Sequence, residues 1–286
     1  MSGGTREVQA TFWLLDASAS LLLQSEDQPD GVGLGTFGED GAPSVYRKPV
    51  PANRSDTFIA GAREVRSRTF LAHVRHATAG EPCVDNTHPF EQHGRLFAHN
   101  GVLGDLPGLR RRLGRHIELV HGTTDSELYF ALITKRIDEA DGNVSAGITA
   151  AANEIAVEFP LYSLNMLLTT ATDVWALRYP GTNELWILER SIGGFDPGAA
   201  FDERSASGTV RVHSRELSIL PATVIASERM DASPGWRLLE SGELVHVDSR
   251  LQVTTTIAVP DPPAQMMELS AREAVAQAED PARSAG

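Results

Sequence analysis

Three short stretches carry residue types capable of chemistry. The first is His73-Val74-Arg75-His76-Ala77-Thr78. An arginine next to small and hydroxyl residues can fork onto a carboxylate through two parallel, charge-assisted bonds; an isolated arginine is also an ordinary solvent-facing charge. The second is His99-Asn100-Gly101. The Asn side-chain amide and the N–H of the following Gly can point the same way and stabilise an oxyanion, although Asn-Gly is equally the strongest short turn signal. The third is Thr124-Asp125-Ser126-Glu127. Asp125 offers an anion to an ammonium group, and Thr or Asp ahead of a helix is also an ordinary cap.

Other chemistries fit less well. His73, His76, His88, His93 and His99 fall in a short span, and histidines with carboxylates build zinc or iron sites. However, the sequence has neither H-E-x-x-H nor Cys-x-x-Cys spacing. His73 and His76, three apart on a strand, point to opposite faces. There is no Gly-x-Ser-x-Gly elbow and no Walker loop. In Gly31-Val32-Gly33-Leu34-Gly35 the third glycine falls too early for a dinucleotide fingerprint and no helix follows; glycines that let a neighbouring backbone approach a strand are the better reading. No cofactor is expected. The sole cysteine, Cys83, sits in the loop Gly80-Glu81-Pro82-Cys83-Val84-Asp85, with no α-amine or adjacent base to activate it.

The elements that must position these groups follow from periodicity and punctuation. Residues 11–24 have helical spacing, and a turn at 28–31 leads into the Gly-rich strand. Residues 67–77 and 95–102 read as strands, joined by a loop carrying Asn86-Thr87-His88-Pro89-Phe90. Helices are predicted at 106–115, 128–137 and 144–157, the second capped by 124–127. Strands are predicted at 163–170, 174–178, 185–189, 223–227, 243–247 and 252–259. Strands, a helical pair and strands again make a layered α+β protein with antiparallel pairing. A single domain is expected over 1–258; the Pro-, Ala- and Glu-rich residues 259–286 are expected to form a mobile tail.

The chain has 286 residues and a net charge of −13, which argues against a general nucleic-acid binder. One cysteine rules out an internal disulfide. No apolar run approaches the roughly 18 residues of a membrane span, and Met1-Ser2-Gly3-Gly4-Thr5-Arg6 lacks a signal-peptide pattern. A cytoplasmic location is expected, with no membrane or nucleic-acid partner.

Taken in order, the motifs Pro29-Asp30-Gly31-x-Gly33-x-Gly35, His73-x-Arg75-x-Ala77-Thr78, Asn86-Thr87-His88-Pro89-Phe90, Phe97-Ala98-His99-Asn100-Gly101 and Thr124-Asp125-Ser126-Glu127 resemble the class II glutamine amidotransferase domain. The resemblance covers about residues 24–130 and is greatest to the compact, stand-alone branch that includes a γ-glutamyl amide hydrolase of ergothioneine synthesis. It implies the N-terminal-nucleophile hydrolase fold, a four-layer αββα sandwich. It also implies a glutamine pocket in which Arg75 holds the substrate α-carboxylate with Thr78 in support, Asp125 holds the α-ammonium, and the Asn100 side chain and Gly101 N–H stabilise the oxyanion. His88 and Phe90 shape their loop, and Asp30 fixes a turn. No metal is implied.

The family's nucleophile is a cysteine at the mature N-terminus, on a buried strand, with its own α-amine as base. Here the chain reads Met1-Ser2-Gly3-Gly4, and Ser2 is followed by glycines and polar residues instead of an apolar strand. The expectation is that Ser2-Gly3-Gly4 is the turn following that strand, that the nucleophile strand lies ahead of Met1, and that the sandwich lacks its first strand in this chain. The expected activity is hydrolysis of glutamine or a γ-glutamyl amide through a cysteine thioester in the longer parent. The released nitrogen goes to water or to an ammonia-accepting synthetase partner. The alternatives are an inactive module that binds glutamine or a γ-glutamyl compound, and a metal-dependent hydrolase.

Overall fold

The computed structural model describes residues 1–75, 81–190, 202–204, 211–213 and 221–269. In chain order these form α1 (Leu21–Gln24), β1 (Gly31–Phe37), β2 (Pro43–Lys48), α2 (Asp56–Glu64), β3 (Leu71–Arg75), β4 (Phe90–Gln92), β5 (Arg95–Leu103), α3 (Leu106–Leu113), α4 (Asp125–Glu139), α5 (Val144–Glu158), β6 (Leu161–Thr169), β7 (Val174–Arg178), β8 (Trp186–Arg190), β9 (Asp202–Arg204), β10 (Arg211–His213), β11 (Ala222–Ala226), β12 (Trp236–Leu238), β13 (Glu243–Val247) and β14 (Val253–Ile257).

The long helices start where the sequence caps them. Thr124 Oγ1 accepts from Glu127 N at 3.3 Å, and Asn143 Oδ1 accepts from Ala146 N at 3.0 Å; each satisfies a helix-end donor that has no intrahelical partner. Helix α4 is buried without a break from Asp125 to Thr134, so it packs as an interior layer. Its Phe130 stacks on Phe97 of β5 at 4.7 Å between centroids, and α5 closes the same core with Ile148, Ala152 and Ile155.

Among the described residues every strand ladder is antiparallel. One sheet has six strands in the order β14-β13-β7-β6-β5-β4; two three-stranded sheets run β2-β1-β3 and β11-β8-β12, and β9 and β10 pair with each other. Helices α4 and α5 cover one face of the six-stranded sheet. Its other face meets both three-stranded sheets: Leu96 and Ala98 pack with Phe37 and Leu71, and Val174, Ala176 and Val245 pack with Ile187 and Ile225. Beyond these sheets, Leu14, Leu21, Phe58 and Ala62 cover β1 and β3, and Phe12 and Trp13 cover β8 and β11. The result is the four-layer αββα sandwich.

The strand edges explain the N-terminal segment. Strands β3 and β11 are each the last in their sheet, and Ser2 forms antiparallel bridges to Thr69, just before β3, and to Thr223 in β11. Ser2 N donates to Thr223 O at 2.8 Å, Thr223 N to Ser2 O at 2.9 Å, Phe70 N to Met1 O at 2.9 Å, and Gly3 N to Arg68 O at 2.8 Å. Ser2 is therefore a strand residue, contrary to its reading as a turn. The turn begins at Gly4, whose φ of 67° suits a residue without Cβ.

Other expectations need adjusting. The single helix expected at 11–24 is a π-helical turn (Phe12–Asp16) and the short α1. Between them Ala17 and Ser20 are extended, with ψ near 156° and 155°; Leu14 and Leu21 share one cluster of the core, while Phe12 and Trp13 join another. Strand β2 and helix α2 were not anticipated; α2 is capped by Ser55, whose side chain accepts from Phe58 N. Residues 261–267, expected in a mobile tail, instead lie along α5 and β6: Ala264 N donates to Ala156 O, Leu161 N to Gln265 O, and Met267 N to Leu161 O. Residues 270–286 lie outside the described residues. Among the described residues no helix is long and apolar enough to cross a membrane.

Candidate active site

Asn100 and Gly101 lie inside β5, paired with Asn165 and Leu164 of β6, so Asn100-Gly101 is not a turn. A Cβ at Gly101 would stand 1.9 Å from Ser163 O and 2.6 Å from His99 Nε2; only glycine lets β6 and the histidine ring come this close. The same logic applies to Gly33, where a Cβ would stand 1.9 Å from His88 O. The Gly-rich β1 is thus a close-approach strand.

His99 ties three elements together. Its Nε2 lies 3.0 Å from Ser163 O and its Nδ1 3.0 Å from Ser126 Oγ. A carbonyl can only accept, so Nε2 carries the proton and Nδ1 accepts from the Ser126 hydroxyl. Burial lowers the pKa of this ring, against the opposing pull of Asp125 and the Ser163 carbonyl. Asp125, 5% exposed, opens α4. Its Oδ2 accepts from Leu103 N at the end of β5, and its Oδ1 from Ser126 N, both at 2.9 Å. Thr124 is the cap proper, and Glu127 is used by the preceding loop, accepting from His121 N and Gly122 N.

Arg75 ends β3 and is 4% exposed. Burial lowers its pKa, while Asp30, Cys83 and Asp125 act electrostatically in the opposite direction. Arg75 and Asp125 are therefore a buried cation and anion within electrostatic reach of each other. Thr78 and His76 lie outside the described residues.

His73, two residues before Arg75 and on the same face of β3, lies against His88 with centroids 4.2 Å apart and planes inclined by 36°. The His73 ring also bonds the main chain of His99, and burial brings its pKa down to about 3; His88 is driven well below its ordinary value, chiefly by burial. His99 uses both ring nitrogens in hydrogen bonds. Among the described residues no group of three or more His, Cys, Asp or Glu is arranged to hold a metal ion.

A cavity of about 140 Å³ opens in front of Asn100. It is lined by residues 70–73 on the β3 side, by 224–227 on the β11 side, by Ala98, His99, Asn100 and Asn165, and by Met1. Its walls are the two strand edges that Ser2 bridges. The Met1 amine donates to Phe70 O at 2.9 Å, and burial lowers its pKa to about 5. Neither Ser2 nor Cys83 lines this cavity among the described residues. The Ser2 hydroxyl accepts from Gly4 N at 3.2 Å, and Cys83 is half-buried. Arg75 and Asp125 do not line the cavity either; they connect to it through His73 and His99, which do. Two more buried polar residues, Asn165 and Asn183, stand beside Asn100. Sequence reasoning missed both, because their relation to Asn100 arises from cross-strand register and a loop.

A profile of class II glutamine amidotransferases matches residues 19–271. The γ-glutamyl-hercynylcysteine sulfoxide hydrolase of Mycobacterium tuberculosis is 34% identical over 205 residues, 70% of this chain and 80% of that protein. Probable glutamine amidotransferase DUG3 of Saccharomyces cerevisiae is 33% identical over 158 residues, 48% of this chain and 44% of that protein. The match to a Methanocaldococcus jannaschii protein covers 49% of its length, so the chain spans about half the length of these last two relatives. The structure of a glutamine aminotransferase class-II domain protein from Silicibacter pomeroyi superposes with a TM-score of 0.53 at 20% identity, over 81% of this chain and 92% of that one; this is a likeness of fold.

Proposed function

This chain belongs to the class II glutamine amidotransferase family, and on that premise we propose that its site binds the glutamyl end of glutamine or of a γ-glutamyl amide for hydrolysis. The observation that carries the reading is the buried, opposite-charge pair of Arg75 and Asp125, of which Asp125 is tied to β5 two residues past Gly101 by the bond from Leu103 N. Arg75, supported by Thr78, takes the α-carboxylate, and Asp125 takes the α-ammonium. The Asn100 side chain and Gly101 N–H take the γ-carbonyl oxygen as it gains charge. Donors fixed in a water-poor site contribute about 3–4 kcal/mol each to such a step.

In this reading the nucleophile is a cysteine. Its thiol adds to the γ-carbonyl carbon, the C–N bond breaks, and the amine leaves with the proton. Water then cleaves the thioester, giving a γ-carboxylate and the free thiol. The cavity, lined by Met1, His73, Asn100 and Asn165, supports this by leaving space beside Asn100. The reaction takes place in the cytoplasm, and the nitrogen goes to water or to a partner synthetase. The absence of Cys83 and Ser2 from the described cavity lining supports a second reading, a module that binds without chemistry.

Ammonia release from glutamine separates the two. The 286-residue chain releases it no faster than buffer. A chain extended by a cysteine, an arginine and a few apolar residues ahead of Met1 turns over. Binding without turnover in the extended chain establishes the module instead, and turnover by the unextended chain that is lost in Ser2→Ala assigns the attack to Ser2.

A further inference from the structure

Register places Asn165 of β6 directly opposite Asn100 of β5, so the two side chains share one face of the sheet; both line the cavity. Asn165 is 2% exposed and fully engaged. Its Oδ1 accepts from Tyr179 N at 3.0 Å, and its Nδ2 donates to Asn183 O at 3.3 Å and Glu184 O at 3.0 Å. One side chain thus holds both ends of the loop at 179–184. Arg178 holds it from the other side, donating from Nε to Asn183 O at 2.9 Å and from its guanidinium to Gly181 O at 3.1 Å.

The clamped loop delivers one side chain to the oxyanion site. Asn183, 3% exposed, donates from Nδ2 to Asn100 Oδ1 at 3.4 Å, while the Asn100 main-chain carbonyl accepts from Ser163 Oγ at 3.0 Å. An asparagine amide has one accepting edge and one donating edge, and a half-turn of its terminal torsion exchanges them. A carbonyl oxygen that is gaining negative charge needs the donating edge. A donor seated on Oδ1 selects the orientation in which the NH₂ points away from Asn183. We propose that Asn183, clamped by Asn165, is a positioning residue that locks the Asn100 amide with its N–H groups toward the substrate's γ-carbonyl oxygen. This rests on the reading of Asn100 as the γ-carbonyl partner.

Replacing the donor at 183 with an acceptor reverses the selection. Asn183→Asp presents a carboxylate to Asn100, which turns its NH₂ toward residue 183 and its oxygen toward the ligand. The measurement is calorimetric affinity for two ligands: glutamine, and 2-aminobutyrate, which keeps the α-carboxylate and α-ammonium but has no γ-carboxamide. The expected result is a fall of about tenfold for glutamine, roughly the loss of one hydrogen bond, with 2-aminobutyrate affinity unchanged. Asn183→Leu, similar in size and unable to donate, gives the same split in smaller degree and serves if Asn183→Asp does not fold. An equal loss for both ligands, or no loss for either, overturns the positioning role while leaving the glutamine site in place. No glutamine binding to the unmutated chain overturns the glutamine site, and the role of Asn183 with it.

Discussion

At the scale of single residues, the site is built by what cannot be larger and what cannot be moved. Gly101 sits where any Cβ would meet Ser163 O and the His99 ring. Gly101→Ala is expected to cost about 3 kcal/mol of stability, at the upper end for overpacking, because the obstacle is a strand backbone and not a flexible side-chain tip. Urea denaturation measures it; a cost below about 0.5 kcal/mol would show that β5 and β6 can separate without penalty. Arg75, Asn100, Gly101 and Asp125 were singled out in the sequence by the order of their motifs, since each alone reads equally as a surface charge, a turn or a cap. His99, Asn165 and Asn183 were not legible as partners of that group. Nothing local marks a histidine whose ring bonds a serine 27 residues on and a carbonyl 64 residues on, and the pairing of Asn100 with Asn165 is a property of register.

Elements set where those residues stand. Helix α4 brings Asp125 to the end of β5 only if its first turn is fixed, and Thr124 fixes it. Thr124→Ala is expected to lower global stability by about 1 kcal/mol, as cap removals do, read as a lower denaturation midpoint with an unchanged slope. An unchanged midpoint would mean that Asp125 and Leu103 alone hold the helix start. Most helices and strands around the site were legible from caps and periodicity. The helix expected at 11–24 failed because hydrophobic spacing does not reveal a break when both halves are buried. Asn100-Gly101 was ambiguous because the turn preference of the dipeptide is local, whereas the ladder with β6 is not. Strand β2 and helix α2 lie in a stretch rich in polar residues, Gly and Pro, where periodicity is weak.

The whole molecule keeps several bases buried and neutral. Burial lowers the Met1 amine to about 5 and His73 to about 3, and it also lowers His88 and His99. In the unfolded chain these groups return to about 8 for the amine and about 6.5 for the histidines. Between the two values the unfolded state binds more protons, so stability rises with pH there. The stability these groups contribute is complete above about pH 8 and declines as pH falls, most steeply below about 6.5. Denaturation midpoints at pH 8, 6.5 and 5 should fall in that order, and a flat or reversed series would mean that these groups are solvated in the folded state. The four-layer sandwich was legible through family motifs. The gap between β3 and β11 was not, because it is defined by what two edges face across the molecule. The central claim is that a buried cation, a buried anion and a pair of neutral donors hold one glutamyl group. Calorimetry with glutamine, with 4-aminobutanamide (which lacks the α-carboxylate) and with Arg75→Ala tests it most directly. The account predicts that glutamine binds, that 4-aminobutanamide does not, and that Arg75→Ala weakens glutamine about 100-fold, as the loss of two charge-assisted bonds requires. Equal affinity for the two ligands, or glutamine binding untouched by Arg75→Ala, would contradict it.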